Sequence, residues 1–226
     1  MPAPPADPPS APPSAPPSER ARVKRYNQIA AYDRATIHAI LDAMPMCHVG
    51  YVFEGSPYVT PTLQWRDGER IFWHGSAASR MLEAAATHDV CVTVSLYDGL
   101  VMARSAYNFN INYRSVMIFG RPVKIEDPAE KEAQLHHFVD KTIPGHWARL
   151  RPVTALELKA TTLLSMPISE ASAKLRSGHT DDDDDADFAV WTGIIPVRYE
   201  IGAPEPNPAN LPGVVLPPEV LSFRIG

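Results

Sequence analysis

The sequence predicts a mainly β domain with peripheral helices, built as a small barrel of six or seven strands. Its apolar runs are short and bounded by turn residues, as in strands, and they follow one another with only occasional helical segments between them. That order disfavours a doubly wound α/β sheet, in which strands and helices alternate regularly. The 226 residues suit one or two domains, and a hydrophobic content of 45% allows a sizeable core.

Seven apolar runs are predicted to be strands, and short, turn-rich links at residues 54–57 and 66–69 join the first three. Such links predict an antiparallel meander. Gly120 lies within the longest run and suggests a bulge or a bend at that point. The predicted strands are residues 47–53, 58–65, 70–74, 90–97, 113–125, 161–168 and 194–201.

Four segments are predicted to be helices, each beginning at a capping residue. The first has apolar residues at spacing i, i+3, i+4 and i+7 from Ile37 to Met44. The third has Pro128 at its first helical position, and the fourth has Glu157 at the capping-box position. The predicted N-caps are Asp33, Ser76 or Ser79, Asp127 and Thr154.

The two ends of the chain differ in composition from its middle. Residues 1–18 hold nine of the 24 prolines, so residues 1–22 are predicted to form a disordered or polyproline-like arm. Residues 206–226 are predicted to be a second proline-rich tail without regular structure. The intervening residues 23–205 are predicted to be one domain.

Charge and composition exclude several partners. The net charge is −5, and the acidic run 181–185, predicted to be a solvated flexible loop, supplies five negative charges by itself. No stretch accumulates basic residues, so nucleic acid is not an expected partner. No apolar run reaches the ~18–20 residues of a membrane span, and the N-terminus lacks a signal-peptide pattern, so a cytoplasmic location is expected. Cys47 and Cys91 lie in apolar runs and are predicted to be buried, reduced thiols.

One stretch carries most of the functional signal. A predicted strand ends at Trp73 and His74, passes a glycine, and enters a helix that bears Ser76, Ser79 and Arg80. A helix N-terminus offers free backbone N–H groups and a partial positive charge, which suit a phosphate monoester. The serine hydroxyls and the guanidinium can add hydrogen bonds. The alternative is a plain helix cap beside a surface arginine.

Several short motifs, spread over about 180 residues, carry a family resemblance. Besides the stretch just described, they are AYDR at 31–34, CHVG at 47–50, PYVTPT at 57–62, NYRSV at 112–116, FGR at 119–121, PG at 144–145, SAKLR at 172–176 and VWTG at 190–193. From roughly residue 26 to residue 204 the chain resembles the pyridoxamine 5′-phosphate oxidase-like superfamily of FMN-binding split β-barrels. The most similar branch is the pyridoxamine 5′-phosphate oxidase-related flavin-nucleotide-binding proteins.

The resemblance implies a flavoprotein that binds FMN at the interface of a homodimer. The backbone of strand residues 59–63 would face the isoalloxazine edge. The turn from Trp73 to Arg80 would hold the phosphate. Ser115 falls where the oxidases carry a glutamine near the ring, and Trp191 would reach the site from the partner subunit. The expected cofactor-binding residues are Thr60, Pro61, Thr62, Trp73, His74, Ser76, Ser79, Arg80, Ser115 and Trp191.

The resemblance leaves the reaction open. Leu63 replaces a lysine of the oxidases, and residues 198–204 lack their substrate-phosphate signature, so pyridoxine phosphate is not the expected substrate. The expected function is an FMN-dependent oxidoreductase acting on an unidentified small molecule. The alternative is a non-catalytic flavin- or haem-binding protein for storage, sensing or haem handling, because fold does not fix the reaction. No catalytic residue is assigned.

Overall fold

The structure, a computed structural model, describes residues 15–226, which contain ten strands and four α-helices. The strands are β1 Ala30–Ala31, β2 Met46–Phe53, β3 Ser56–Asp67, β4 Arg70–Ser76, β5 Val90–Met102, β6 Asn110–Gly120, β7 Val123–Lys124, β8 Thr161–Pro167, β9 Glu170–Arg176 and β10 Gly193–Pro196. The helices are α1 Arg34–Ala43, α2 Arg80–Thr87, α3 Pro128–Thr142 and α4 Ala155–Ala160.

All strands pair antiparallel in one open sheet with the order β1-β9-β6-β5-β2-β3-β4-β8-β7, and β10 lies beside β5. Strand β3 joins the two halves of this sheet. Its residues 56–63 pair with β2, and its residues 64–67 pair with β4. The sheet therefore changes partners along one long strand, as expected for a split barrel, and the predicted mainly β class is confirmed.

The predicted meander β2–β3–β4 is confirmed, and its turns have the backbone that the sequence requires. Glu54 and Gly55 both have positive φ, 49° and 76°, which suits a two-residue hairpin turn of type I′. Gly68, with φ 53°, occupies the corresponding bend between β3 and β4.

The main core lies inside the barrel, between the sheet and helices α1 and α2. Alternate residues of β5 point into it, and Val90, Val92 and Val94 are buried. Ser95 and Tyr97 on the opposite face are exposed, so this run is buried on one side within the protomer. A smaller cluster under α3 contains Trp65, Phe72, Ile125 and Leu163, with Phe138 of α3 packed against it.

Two strand predictions need correction, and strand β9 was missed. The predicted strand 113–125 is two strands, β6 and β7, that break at Gly120, where a Cβ would lie 2.9 Å from the Met166 sulfur. The predicted strand 194–201 ends at Pro196; the Val197 N–H still donates to the Asp98 carbonyl at 3.0 Å, but the residues beyond it form no strand. Strand β9 was not predicted, because its small and charged residues give little β signal.

The prediction that residues 181–185 form a solvated flexible loop is wrong at Asp182. Asp182 is buried, and its carboxylate accepts hydrogen bonds from the Arg104 backbone N–H at 2.8 Å and from the Arg104 Nη1 at 2.9 Å. The backbone at Asp183–Asp185 forms a short 3₁₀ turn. Part of the acidic run therefore holds the loop after β5 in place.

Both chain ends contact the domain where they are described. The first fourteen residues of the predicted arm lie outside the described residues, but Arg20 pairs with Asp89 and Glu170, and Ala21 is buried. At the other end, the Gly226 N–H donates to the Ala43 carbonyl at 2.9 Å. The domain limits at residues 22 and 205 stay a prediction.

Candidate functional site

The junction between β4 and α2 has the geometry that the sequence predicts. Strand β4 ends at Ser76, and α2 begins at Arg80 with Ser79 as its N-cap. Gly75 permits the strand and the helix to approach closely, because a Cβ there would lie 3.1 Å from Leu82 Cδ1. Met81 and Leu82 anchor the helix in the main core, so its first turn is held rigidly at the surface.

The N-terminus of α2 differs from the other three helix starts. The side chains of Asp33, Asp127 and Thr154 each accept a hydrogen bond from a first-turn N–H of α1, α3 and α4 respectively. The Ser79 side chain makes no such bond. Because a helix start leaves its first N–H groups without intrahelical acceptors, α2 presents backbone donors that no side chain of residues 15–226 satisfies.

The turn before α2 is fixed by its own backbone. The Ala77 N–H donates to the Ala160 carbonyl at 2.8 Å, and the Ser79 N–H donates to the Ser76 carbonyl at 2.9 Å. The Ser76 hydroxyl accepts from the Ala78 N–H at 3.2 Å and retains its own O–H as a donor. Two hydroxyls, those of Ser76 and Ser79, can therefore donate to a ligand at this turn.

Arg80 adds a cation to the same turn. Its guanidinium lies over the rings of Phe53 and Tyr58, at 5.2 Å and 5.0 Å from their centroids. Arg80 is exposed, and within residues 15–226 no carboxylate lies at ion-pair distance from it. The rings of the β2–β3 hairpin hold the guanidinium in position while its N–H donors remain available to an anion.

Thr60 belongs to the same end of the barrel. Its hydroxyl donates to the Tyr51 Oη at 3.4 Å, and the Tyr51 ring stacks on Tyr58 at 5.6 Å. The aromatic residues that support Arg80, namely Tyr51, Phe53 and Tyr58, were not among the predicted site residues. The only sequence signal for them is their position on the two strands of a hairpin.

Trp73 and His74 lie on opposite faces of β4. Trp73 is fully buried in the main core, so its side chain offers no surface to a ligand in the protomer. His74 packs against Trp65 and Phe138, with ring centroids 5.6 Å and 5.8 Å away. Burial lowers the pKa of His74, and its Nδ1 has no hydrogen-bond partner in the described chain. The imidazole is therefore neutral at physiological pH.

The remaining predicted site residues lie apart from Arg80 within one protomer. Pro61 and Thr62 are on β3, opposite residues 48 and 47 of β2. Ser115 is on β6, and two strands, β5 and β2, separate it from β3. Trp191 is exposed, and its ring covers Gly193 at the start of β10. A single protomer thus gathers Thr60, Ser76, Ser79 and Arg80 but not Ser115 or Trp191.

The described residues offer no metal centre and no activated thiol. Within residues 15–226, no group of three or more His, Cys, Asp or Glu side chains could hold a metal ion. Burial raises the pKa of the Cys47 thiol to about 12 and also raises that of Cys91, so neither is a thiolate nucleophile. Both cysteines are free, and Cys47 is buried as predicted, whereas the prediction that Cys91 is buried is wrong, because it is only partly buried on the outer face of β5. No helix in this part of the chain is long and apolar enough to cross a bilayer.

Comparisons with known proteins agree with this architecture. Among the solved structures that match, two are similar over nearly the whole chain. The flavocytochrome Anf3 from Azotobacter vinelandii shares 53% sequence identity, with a TM-score of 0.91 over 94% of this chain and 100% of that chain. The FAD and haem binding protein from Mycobacterium smegmatis shares 34% identity, with a TM-score of 0.82 over 87% and 97% of the two chains. No curated protein sequence matches the chain significantly.

The family comparison covers the barrel itself. The family model described as pyridoxamine 5′-phosphate oxidase matches residues 33–175, which run from the N-cap of α1 to strand β9. That range includes the β4–α2 turn and the β2–β3 hairpin that supports Arg80. The chain therefore belongs to the pyridoxamine 5′-phosphate oxidase-like family of split β-barrel proteins.

Proposed function

We propose that this protein binds a flavin nucleotide whose phosphate lies at the turn from Ser76 to Arg80. The observation that carries the proposal is the start of α2, where free backbone N–H groups and an unpaired Arg80 meet. A phosphate satisfies these donors and benefits from the helix dipole. Flavin binding is also what the names of the two matched structures state for those proteins, one a flavocytochrome and the other an FAD and haem binding protein.

FMN is the form of flavin that the turn itself supports best. One arginine, one helix N-terminus and the hydroxyls of Ser76 and Ser79 form a site of the size of one phosphate group. The relative from Mycobacterium smegmatis is named for FAD, which makes FAD the second candidate. Both nucleotides would place a phosphate at Arg80. Riboflavin has the same isoalloxazine ring but no phosphate, so comparing its affinity with that of FMN measures what the phosphate contributes to binding.

We further propose that the bound flavin makes this protein a redox protein, an oxidoreductase acting on a small molecule not yet identified. A bound flavin supplies hydride and electron transfer. The residues of the chain bind and orient the nucleotide: Arg80 and the α2 N–H groups hold the phosphate, and Thr60 lies on the strand beside it. No side chain at this turn is placed as a general acid or base, so substrate protons are not assigned to a residue.

A second candidate function is haem binding, alone or together with flavin. It is favoured by the names of both matched structures and by two imidazoles of this chain. His48 on β2 and His74 on β4 are the two strand histidines whose rings make no hydrogen bond within residues 15–226. An imidazole nitrogen without a partner can serve as an axial ligand for haem iron, so His48 and His74 are the candidate ligands. Of the two, His48 lies on the outer face of β2, whereas His74 is packed against Trp65 and Phe138.

The proposal includes a homodimer with two equivalent sites. The outer face of β3, β2, β5 and β6 exposes apolar side chains that soluble monomers rarely leave uncovered: Met46, Val59, Leu63, Tyr97 and Met117. Two-fold pairing would cover this face with its own copy. It would also let Ser115 and Trp191 approach the partner's flavin, since they lie away from Arg80 in their own protomer. Light scattering at low micromolar concentration should give twice the chain mass, and a stable monomer that still holds flavin would contradict the interface site.

The proposal also covers the cellular location of the protein and its macromolecular partners. We propose a cytoplasmic location, and an acidic pI of about 5.9 without a basic stretch argues against nucleic acid and anionic membranes as partners. Fractionation of cells with an antibody against the chain tests the location.

The visible spectrum of the purified protein tests the proposed function. A flavin band, released by denaturation and identified by chromatography as FMN or FAD, supports the first candidate. A Soret band supports the second, and both bands together would make the protein a flavocytochrome. If neither band appears after incubation of the protein with FMN, FAD and haemin, both candidates are wrong.

A further inference from the structure

A buried lysine from a distant part of the chain lies near the turn from Ser76 to Arg80, where the flavin phosphate is proposed to bind. Lys131 of α3 is 7% exposed, and its Nζ donates to the carbonyls of Leu158 and Thr161 at 3.2 Å and 3.0 Å. Within residues 15–226 no carboxylate lies at ion-pair distance from this ammonium. Burying a charge is costly unless it is paired, and two neutral carbonyls compensate for only part of the lost hydration.

The carbonyls that hold Lys131 belong to the strand beside the turn. Thr161 begins β8 and pairs directly with Ser76, the last residue of β4. Its neighbour Ala160 accepts the hydrogen bond of the Ala77 N–H. Since paired Cα atoms in an antiparallel sheet are about 4.5–5.5 Å apart, the ammonium lies within about 11 Å of the Ser76 Cα.

We propose that Lys131 is the second cation of the phosphate site and that it acts on a bound flavin nucleotide through its electric field. This inference rests on the proposed function, and it adds a residue that makes the site prefer flavins that carry a phosphate. Arg80 is exposed at the turn, whereas Lys131 is buried near the start of β8, where salt screens a charge much less than at the surface. The phosphate, with a charge of about −1.5 to −2, is the compensating anion that the described chain lacks.

The size of the expected effect follows from distance. For a phosphate about 10 Å from the ammonium, with the intermediate screening usual near a protein surface, one buried charge changes the affinity for the anion by about tenfold. Riboflavin has the same ring and no phosphate, so its affinity should not change. The ratio of the FMN to the riboflavin affinity therefore isolates the charge of Lys131 from its packing.

A purely structural role for Lys131 predicts a different pattern. Its contacts with Leu158 and Thr161 also complete the C-terminal end of α4, where a cation is favourable. If that were its whole role, removal of the charge would lower the free energy of unfolding and leave the FMN-to-riboflavin ratio as it is.

The test is a fluorescence titration of the full-length apoprotein with FMN and with riboflavin, for the wild type and three variants. Lys131→Gln retains a donor for one carbonyl, and Lys131→Met serves if the glutamine variant does not fold. Lys159→Gln, on the exposed side of α4, is the matched control. Both Lys131 variants should weaken FMN about tenfold and change riboflavin less than about twofold, while the control retains the wild-type ratio.

The outcomes distinguish a failure of the proposed phosphate site from a failure of the role proposed for Lys131. A wild-type protein that binds FMN no better than riboflavin would remove the phosphate site and Lys131 with it. A wild-type preference for FMN that persists unchanged in the Lys131 variants would remove only the role of Lys131. Equal losses for both flavins would assign Lys131 to folding alone and overturn the inference.

Discussion

Two arginines of this barrel, Arg104 and Arg80, have opposite surroundings. Arg104 donates to a buried carboxylate, that of Asp182, through both its backbone N–H and its guanidinium. Arg80 lies over two aromatic rings and has no acidic partner in the described chain. The difference shows which charge serves the fold and which is available to a ligand, because Asp182 compensates the charge of Arg104, whereas no carboxylate in the described chain compensates that of Arg80.

The largest expected effect is the loss of stability when Arg104 loses its acidic partner. Asp182→Ala should lower the free energy of unfolding by about 2–4 kcal/mol, because it leaves a partly buried guanidinium and a backbone N–H without their acceptor. Urea unfolding measures this loss. Asp184→Ala, at an exposed position of the same acidic run, should change stability by less than about 0.5 kcal/mol. Equal effects of the two variants would mean that Asp182 is as solvated as its neighbours.

On the Arg80 side the effect should fall on binding. Arg80→Ala should weaken FMN by about 1.5–3 kcal/mol, the usual contribution of a hydrogen bond to a charged group, and should hardly change the stability of the flavin-free protein. Titration of FMN into the apoprotein measures the loss. Arg121→Ala is the control, because Arg121 donates to the Thr87 carbonyl at the other end of α2 and lies away from the turn. An unchanged FMN affinity would make Arg80 a surface residue only.

The smallest effect concerns the cap residues. Asp127→Ala should cost about 1 kcal/mol of stability, because its carboxylate caps α3. Ser79→Ala should leave the flavin-free protein within about 0.3 kcal/mol, because its hydroxyl makes no cap bond, yet it should weaken FMN by about 0.5–1.5 kcal/mol. Thermal unfolding with and without FMN gives both quantities. A stability loss for Ser79→Ala as large as that for Asp127→Ala would show that α2 is capped like the other helices.

Short sequence motifs correctly predicted the helix starts, because the contacts that determine a helix start lie within a few residues of it. Asp127 followed by a proline gave the start of α3, and the capping box at Thr154 gave the start of α4, because both motifs satisfy N–H groups a few residues away. The β4–α2 turn was also predicted from local sequence, although the Ser79 side chain makes no cap bond. Strand β9 was not, since its pairing with β6 depends on partners far along the chain.

The sequence places Ser76, Ser79 and Arg80 at the turn between β4 and α2, where the structure also has them. Their role in binding stays a prediction. Trp73 points into the core, because the alternation along β4 places neighbouring side chains on opposite faces and burial decides which face is inside. Lys131 contacts Thr161, the residue that pairs with Ser76, because α3 packs against α4, and no sequence pattern reveals this contact.

The measurement that tests the account most directly is a comparison of FMN and riboflavin binding to the same apoprotein. The two ligands share the isoalloxazine ring and differ in the phosphate that the turn from Ser76 to Arg80 is proposed to hold. The account predicts that FMN binds at least about tenfold more tightly, as expected for a phosphate that gains a charged hydrogen bond and a helix N-terminus. Riboflavin binding as tightly as FMN, or more tightly, would contradict it.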